Sequence, residues 1–419
     1  MALIANRLYH TGMMRSAHRL LLRLLPVVTG LILLSLMDAG WSQSVFSARG
    51  IGEVQASPGA RLAGMGGAGT AIRDSLILTI ANPASPASIN RTRVAVSGAY
   101  QWILVTDNLT SDPRDYADFQ GVALAIPFYN HWTFSAGVDP YSIARSSWFW
   151  ARQFNNLGYE EQYRVSGGFS RILLGISFPI HSRLQLGGGV RMLFGTLDQT
   201  FTINFVSSLY RDAQYVNRLN SKSIGATGGM VWEFVTGWSV GGFYYSKQRG
   251  DATLKFSYVD SDSVRTTNGS LEFPASIGAG FCGTVKPRVR IAGDMLLTRW
   301  QDATIAIDQD LPTADTWKIS VGAEYQPLYG GLESFYNRLY YRIGFSTENL
   351  YLKNELGDTP RLTMVHAGLG IPLKTADRRI DIAISWGIRG NVADFGAKET
   401  LFGLSFTLES AENWFVRRK

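Results

Sequence analysis

From Arg379 to Arg389 the chain alternates residue by residue. Ile380, Ile382, Ile384, Trp386 and Ile388 stand against Arg379, Asp381, Ala383, Ser385, Gly387 and Arg389. Successive side chains of a β-strand point to opposite faces, so one face of this segment meets an apolar medium and the other a wetter one. The pattern recurs. From Leu401 to Leu408, Phe402, Leu404, Phe406 and Leu408 oppose Gly403, Ser405 and Thr407; from Arg288 to Thr298, Val289, Ile291, Met295 and Leu297 oppose Arg288, Arg290 and Asp294. A soluble sandwich alternates too. It has no need of a uniformly apolar outer face ending in Trp or Tyr, strand after strand, whereas a barrel in lipid does.

In chain order the alternation predicts strands near 92–104, 117–128, 131–143, 161–180, 183–206, 221–235, 238–259, 264–283, 287–300, 314–326, 337–347, 361–373, 378–389 and 398–409. Fourteen is an even number, as a closed antiparallel barrel with both ends on one side requires. The gaps after the second, fourth, sixth, eighth and twelfth strands are tight (Tyr129-Asn130, His181-Ser182, Thr236-Gly237, Thr284 to Lys286, Lys374 to Asp377), and those after the first, third, fifth, ninth and eleventh are longer and polar. This rhythm predicts short periplasmic turns, long external loops and both termini in the periplasm. The stretch from Pro327 to Tyr336 breaks it, being long where a short turn is due.

The N-terminus reads as a targeting segment. Arg15, Arg19 and Arg23 precede an apolar run from Leu24 to Met37, followed by the small residues Ala39, Gly40, Ser42 and Ser44, the order of a secretory signal peptide over residues 1–42. No later segment approaches eighteen uninterrupted apolar residues, so no transmembrane helix is expected. Cys282 is the single cysteine and allows no disulfide framework. The chain carries a formal charge of +7; without the four Arg and one Asp of residues 1–42 it carries +4, and no basic cluster with interleaved aromatics points to nucleic acid.

Residues 43–90 behave differently. Gly59 to Asp74 is dense in small residues, including Gly64, Gly66, Gly67 and Gly69, and is followed by Asn82-Pro83-Ala84. Gly64 to Gly69 matches G-x-G-x-x-G, but a dinucleotide site needs a buried strand before that motif and an acidic residue about 20 positions after it. Gln55-Ala56-Ser57-Pro58 precedes it, and no Asp or Glu occurs from Ser75 to Thr106. The glycines read instead as close-packing positions in a compact plug, with the strands closed around it. Asn82 opens a turn before Pro83, and its amide can cap neighbouring backbone groups.

Two motifs carry a resemblance. Ala60-Arg61 to Asp74 with Asn82-Pro83-Ala84 resembles the N-terminal hatch of the long-chain fatty acid transporter family of outer membranes. Phe273-Pro274-Ala275-Ser276-Ile277-Gly278-Ala279-Gly280, followed by Asp294 and Trp300, is similar to that family's late-barrel segment, with Phe273 where Leu is commoner. The resemblance implies a 14-stranded antiparallel transmembrane β-barrel in the outer membrane of a diderm bacterium, with a hatch of short helices and turns over residues 43–90, a barrel over 91–409 and a periplasmic tail over 410–419. It implies passive uptake of a hydrophobic, fatty-acid-like compound, released sideways into lipid. Proline cannot donate to a ladder, so Pro140 marks a bulge, a kink or an interruption in the third strand. The family's third strand is kinked, which places the expected lateral opening at Gly137, Asp139 and Pro140, facing the hatch near Asn82; the alternative is a strand that ends at Asp139. A related subgroup, the outer-membrane shuttle of type IX secretion, shares barrel and hatch and binds protein cargo. A secretion-system shuttle or scaffold is therefore the second functional reading.

Chemistry of another class finds little support in the residues. Beyond residue 42 the histidines are His131, His181 and His366; the first two fall in turns, and His366 points into the lumen with no G-x-S-x-G motif. No HExxH or Cys/His cluster offers a metal site. The expectation is a non-enzyme without cofactor, a monomer whose partners are outer-membrane lipid, a hydrophobic small molecule and, through the final-strand signal Gly403 to Leu408, the barrel-assembly machinery during biogenesis. Glu409 to Lys419 ends in Arg417-Arg418-Lys419, read as a solvated end.

Overall fold

The computed structural model describes residues 44–55, 59–129, 131–154, 157–207, 209–258, 264–305, 311–327, 334–373 and 378–412. The segment read as a leader, residues 1–42, and the basic end after 412 lie outside the described residues. Fourteen barrel strands follow in order: β1 Thr92–Thr106, β2 Ser111–Tyr129, β3 Trp132–Phe154, β4 Leu157–His181, β5 Leu184–Phe205, β6 Ala213–Val235, β7 in two pieces Trp238–Tyr245 and Gln248–Tyr258, β8 in two pieces Val264–Phe273 and Ser276–Lys286, β9 Val289–Thr298, β10 Thr316–Tyr325, β11 Tyr340–Asn349, β12 Arg361–Pro372, β13 Arg378–Asn391 and β14 Ala397–Glu412. Each neighbouring pair is antiparallel. β14 returns to β1, from Glu412 opposite Thr92 to Lys398 opposite Thr106, which closes the barrel. β8 breaks at Pro274-Ala275, where proline cannot donate to a ladder, and β7 breaks beside it at Ser246-Lys247; both halves of β7 pair with β6 and β8, whereas of β8 the half Ser276–Lys286 pairs with β7 and β9 and the half Val264–Phe273 with β7 alone. The last strand reaches Glu412, three residues beyond the expected boundary.

The outer surface carries the apolar face of the alternation. Ile384, Trp386, Phe402, Leu404, Met295 and Leu297 are exposed, while Arg379, Asp381, Arg389 and Glu399 on the opposite face are buried in the lumen. Trp386, Phe402 and Trp102 stand opposite one another across β13, β14 and β1, an aromatic row of the kind that rings a membrane barrel. The long connection between β10 and β11 persists while the strand total remains fourteen, so it is a true exception to the turn rhythm and not a miscounted hairpin.

Two expectations change. The segments read as long loops after the first and third strands are strand: β1 and β2 are joined over 107–110, and β3 to β6 rise far above the rest of the rim. The reason is a cross-strand aromatic row that local alternation does not show. Trp148 lies opposite Tyr163, Tyr163 opposite Phe201, Phe201 opposite Tyr215 and Tyr215 opposite Tyr258. Phe201 and Tyr215 stack with centroids 5.3 Å apart. Such pairs stabilise a ladder well past the hydrocarbon. The second change concerns the N-terminal end. The described chain begins at the long-loop end of the lumen, where Ser44 Oγ donates to Glu399 Oε1 at 2.9 Å, and not at the short-turn end where β1 starts and β14 finishes.

From Ser44 the inner segment descends through the lumen. A short inner strand, Glu53–Val54, pairs with β3; a five-residue helix, Ala60–Gly64, lies against β11 to β14; residues 69–74 cross to β7 and β9; and a 3-10 turn, Ser85–Ser88, reaches β3 to β5 before β1 begins. Where it touches the wall, the wall is glycine. A Cβ at Gly344 would stand 2.3 Å from Gly66 N, one at Gly241 2.6 Å from Thr70 O, and one at Gly187 2.0 Å from Pro83 O. Lumen-facing glycines thus admit the segment's backbone against the strands.

Candidate functional site: a lumen cavity beside a seam in the wall

The inner segment is seated by charge. Arg61 Nη2 lies 2.7 Å from Glu324 Oε1 on β10 and 3.2 Å from Asp74; Asp74 also takes Arg290 Nη1 of β9 at 3.0 Å. The network continues around the wall: Arg342 binds Glu324 and Asp381 at 2.7 Å each, Arg379 binds Asp381 at 2.7 Å, and Arg93 holds Glu409 at 3.2 Å. Glu409 in turn accepts Leu78 N at 2.9 Å. Buried charges persist only when paired and hydrogen-bonded. Burial alone would raise the pKa of Asp74, but Arg61 and Arg290 outweigh it and hold the carboxyl below its ordinary range. Arg73, next in the chain, binds Glu233 at the end of β6.

The two family-like motifs meet in space. Asp294 Oδ2 accepts from Gly69 N at 2.7 Å and from Thr70 N and Thr70 Oγ1 at 2.8 Å each, so the late-barrel carboxylate caps the end of the glycine run. Asn82 is buried. Its Nδ2 donates to Thr70 O at 2.8 Å and Met230 O at 3.0 Å, and its Oδ1 accepts from Ala84 N at 3.0 Å, which locks the turn through Pro83 and Ala84. Among the glycines read as packing positions, Gly64 lies against Gly368 and Gly66 against Gly344, Gly67 faces Ser320, and Gly69 abuts Leu62.

The wall is interrupted between β2 and β3. Their ladder runs from Tyr129 opposite Trp132 up to Val122 opposite Val138, and among the described residues no pairing joins the two strands above that point. β2 continues against β1, and β3 continues against β4 to Phe154. The divergence has local causes. Gly121 (φ +138°) brings its Cα against Val138 and Asp139, where a Cβ would stand 2.8 Å from Asp139 Cβ. Beyond it, Asp139 turns inward to a buried pair with Arg171 of β4. On the β4 side the register shifts between Pro140 and Ser142. The third strand therefore does not end at Asp139; it bulges there and loses one neighbour. Gly137 lies below the seam, paired with Ala123 and Leu173. It faces Ile80, not Asn82, which packs against Gly229 of β6.

The foot of the seam is covered from inside. Glu53 pairs with Ile143 and Val54 with Ser142, and Gln55 N donates to Tyr141 O at 2.9 Å. Trp300 stacks on Tyr351 with centroids 4.3 Å apart; the Tyr351 hydroxyl accepts from Ile51 N at 3.1 Å and donates to Gly52 O at 2.8 Å. Burial pushes that phenol above its ordinary pKa, so it stays a donor. Across the lumen, Arg389 holds Glu53, with Glu399 Oε2 3.0 Å from Nη1. None of Tyr351, Arg389 and Glu399 stands out in the sequence, where inward arginines and carboxylates recur on many strands.

Between the inner segment and the rim lies a cavity of about 1890 Å³. Its lining includes Leu62 and Thr70 below, Gln120 of β2, Tyr141 and Trp148 of β3, and Trp317 opposite. Both edges of the seam thus border the same space. His366 also lines it, held between Ser346 Oγ at 2.9 Å and Ser385 Oγ at 2.7 Å, with no carboxylate among those bonds. Among the described residues no group of three or more His, Cys, Asp and Glu is placed to hold a metal.

Solved structures share this architecture. A Pseudomonas aeruginosa FadL homologue superposes with a TM-score of 0.63 at 14% identity, over 86% of this chain and 99% of that one. The P. putida toluene transporter TodX gives 0.56 at 16% identity over 88% and 100%, and the Ralstonia pickettii toluene transporter TbuX 0.54 at 12% over 88% and 99%. At these identities the likeness is one of fold, and at that level the resemblance drawn from the two motifs holds. No curated protein matches in sequence. The sequence matches the family described as BamG over residues 22–237 and 243–419, and the chain belongs to that family.

Proposed function

We propose that this protein sits in the outer membrane and passes hydrophobic compounds from the lumen cavity sideways, through the β2–β3 seam, into the lipid. The observation that carries this reading is that the unpaired edges of β2 and β3 both border the cavity. An apolar chain gains about 0.8 kcal/mol per CH₂ on leaving water, so release into lipid is favoured over release into an aqueous compartment. The charge-seated inner segment obstructs the direct path, which leaves the seam as the way out. The neighbours described as toluene transporters fit such cargo.

An ion pair at 4.0 Å, Arg145 with Asp118, already bridges the seam and marks where to close it. Cysteines at 118 and 145 joined by a short bis-maleimide should slow uptake of a fluorescent hydrocarbon several-fold, with the barrel still heat-modifiable on gels. Cys282 is buried and leaves the label specific. Unchanged uptake after complete cross-linking sinks the lateral route. Gly137 is no place for this test, because a Cβ there would stand 2.2 Å from Ile80 Cδ1 and disturb the inner segment.

A second reading, an outer-membrane scaffold for protein partners, draws on the tall wall of β3 to β7, which exposes Phe149, Trp150, Tyr215 and Tyr258. Under that reading the linked seam leaves function intact, while charged substitutions at Phe149 and Trp150 abolish it.

A further inference from the structure

Above the foot of the seam, among the described residues, no strand pairs with β2 or with β3 on the seam side. The two edges are not alike. That of β2 carries Asp112, Pro113, Arg114, Asp115 and Asp118, and charges and a proline are what keep an exposed edge from taking another strand. That of β3 reads Ser-Ser-Trp-Phe-Trp-Ala from Ser146 to Ala151, with neither charge nor proline. Its lowest part is already filled. Glu53 and Val54 of the inner strand lie opposite Ile143 and Ser142, and Arg145 O accepts from Ser47 Oγ at 3.4 Å. The main-chain groups of Arg145 therefore point away from β4. Hydrogen-bonding direction alternates along an antiparallel strand, and the β3–β4 register runs without a shift from Ser142 to Phe154. The N–H and C=O groups of Phe149, Ala151 and Gln153 thus point the same way as those of Arg145, and all three residues are exposed.

The side chains along this edge suit a strand as a neighbour. Trp148 and Trp150 stack on one face with centroids 6.2 Å apart, and Phe149, 60% exposed, stands on the other. A strand laid against β3 would set its own side chains beside rings on both faces, and aromatic pairs with β-branched residues are among those that hold neighbouring strands together. A hydrocarbon has no donors or acceptors for a row of backbone groups; an extended polypeptide has both. We propose that the edge of β3 above Arg145 receives an extended segment of a partner polypeptide by β-addition, the main-chain bonds supplying affinity and the three rings selecting β-branched or aromatic side chains. The inner strand Glu53–Val54 already uses this mode two residues lower on the same edge. The inference is independent of the transport reading; it rests on the scaffold reading and gives it a binding mode.

The test measures binding of a fluorescent synthetic peptide of alternating valine and threonine, with lysines at both ends for solubility, to the full-length barrel in nanodiscs. A second peptide carries N-methyl groups on both edges, so it keeps the side chains and loses the donors. Wild type should bind the unmethylated peptide about tenfold more tightly, the effect of two or more net backbone hydrogen bonds. Ala151→Pro and Gln153→Pro each remove a donor from the free edge and spare the β4 ladder, because those amides face away from it; each should weaken the unmethylated peptide several-fold. Heat-modifiable migration establishes that both variants are folded, and if either fails to assemble, the comparison of the two peptides on wild type decides. Equal binding of both peptides overturns β-addition and leaves a scaffold that grips by side chains. Unchanged binding in folded proline variants places the peptide elsewhere and overturns the β3 edge, and binding of neither peptide overturns it too. A dimer of the barrel that dissociates with Ala151→Pro assigns the edge to a second copy and overturns the partner strand.

Discussion

At the scale of single residues, Asp74 helps tie the inner segment to the wall, because it accepts from Arg61 of its own segment and from Arg290 of β9. Its pKa in the folded chain lies below the unfolded value of about 3.9. The stabilisation it supplies is therefore complete above about pH 4 and is lost as the pH falls through the folded value. Asp74→Asn should cost about 1.5–3 kcal/mol at neutral pH, the range for a hydrogen bond to a charged group, and should flatten the acid limb of a stability–pH curve measured by denaturant titration in detergent. An unchanged acid limb would mean that another carboxylate governs it. Asp74 was in view from the sequence as the end of the hatch-like run; its partners were not, since Arg290 lies 216 residues away.

At the scale of elements, the tall wall is the feature that alternation alone did not reveal. Polar residues such as Arg152, Glu160 and Asn217 make the tops of its strands read as loops. The row from Trp148 to Tyr258 holds them, and Phe201 sits inside it with an aromatic on either side. Cross-strand aromatic pairs contribute about 0.2–1 kcal/mol each, so loss of the two at Phe201 in Phe201→Ser should loosen the tops of β4, β5 and β6 by about 0.4–2 kcal/mol. Hydrogen exchange should accelerate over residues 157–165, 198–205 and 213–218, with the ladder below unaffected. Uniform protection throughout would show that the backbone ladder suffices there.

At the scale of the whole molecule, the inner segment and the barrel form one interlocked body. Arg61, Asp74, Leu78 and Asn82 each bond to a strand, and glycines in the wall admit the segment's backbone. Deleting residues 45–88 should therefore do two things at once. It should raise small-solute conductance in planar bilayers, because the lumen loses its filling. It should also destabilise the barrel, because Glu324 loses Arg61 and keeps only its wall partners, and breaking a buried ion pair costs about 3–5 kcal/mol. Wild-type conductance in the deleted form would mean that the wall alone obstructs the lumen.

Strand number, the lipid-facing and lumen-facing sides, and the small-residue character of residues 59–87 were all legible in the amino-acid order. Each is a local property: alternation has a period of two, and a strand shows its two faces without reference to any partner. The seam was only half legible. Pro140 marked the place, but that β3 continues to Phe154, keeps β4 and loses β2 depends on Gly121, nineteen positions earlier, and on the inner strand that covers the break. That Arg171 of β4 finds a carboxylate is settled by the register of β3 against β4 and by the bulge at Pro140 that turns Asp139 into the lumen. The course of the inner segment, entering beside Glu399 rather than at the end where β1 starts, follows from contacts between residues as far apart as 355 positions. Partners at such separations are chosen when the barrel closes, and no local pattern records the choice.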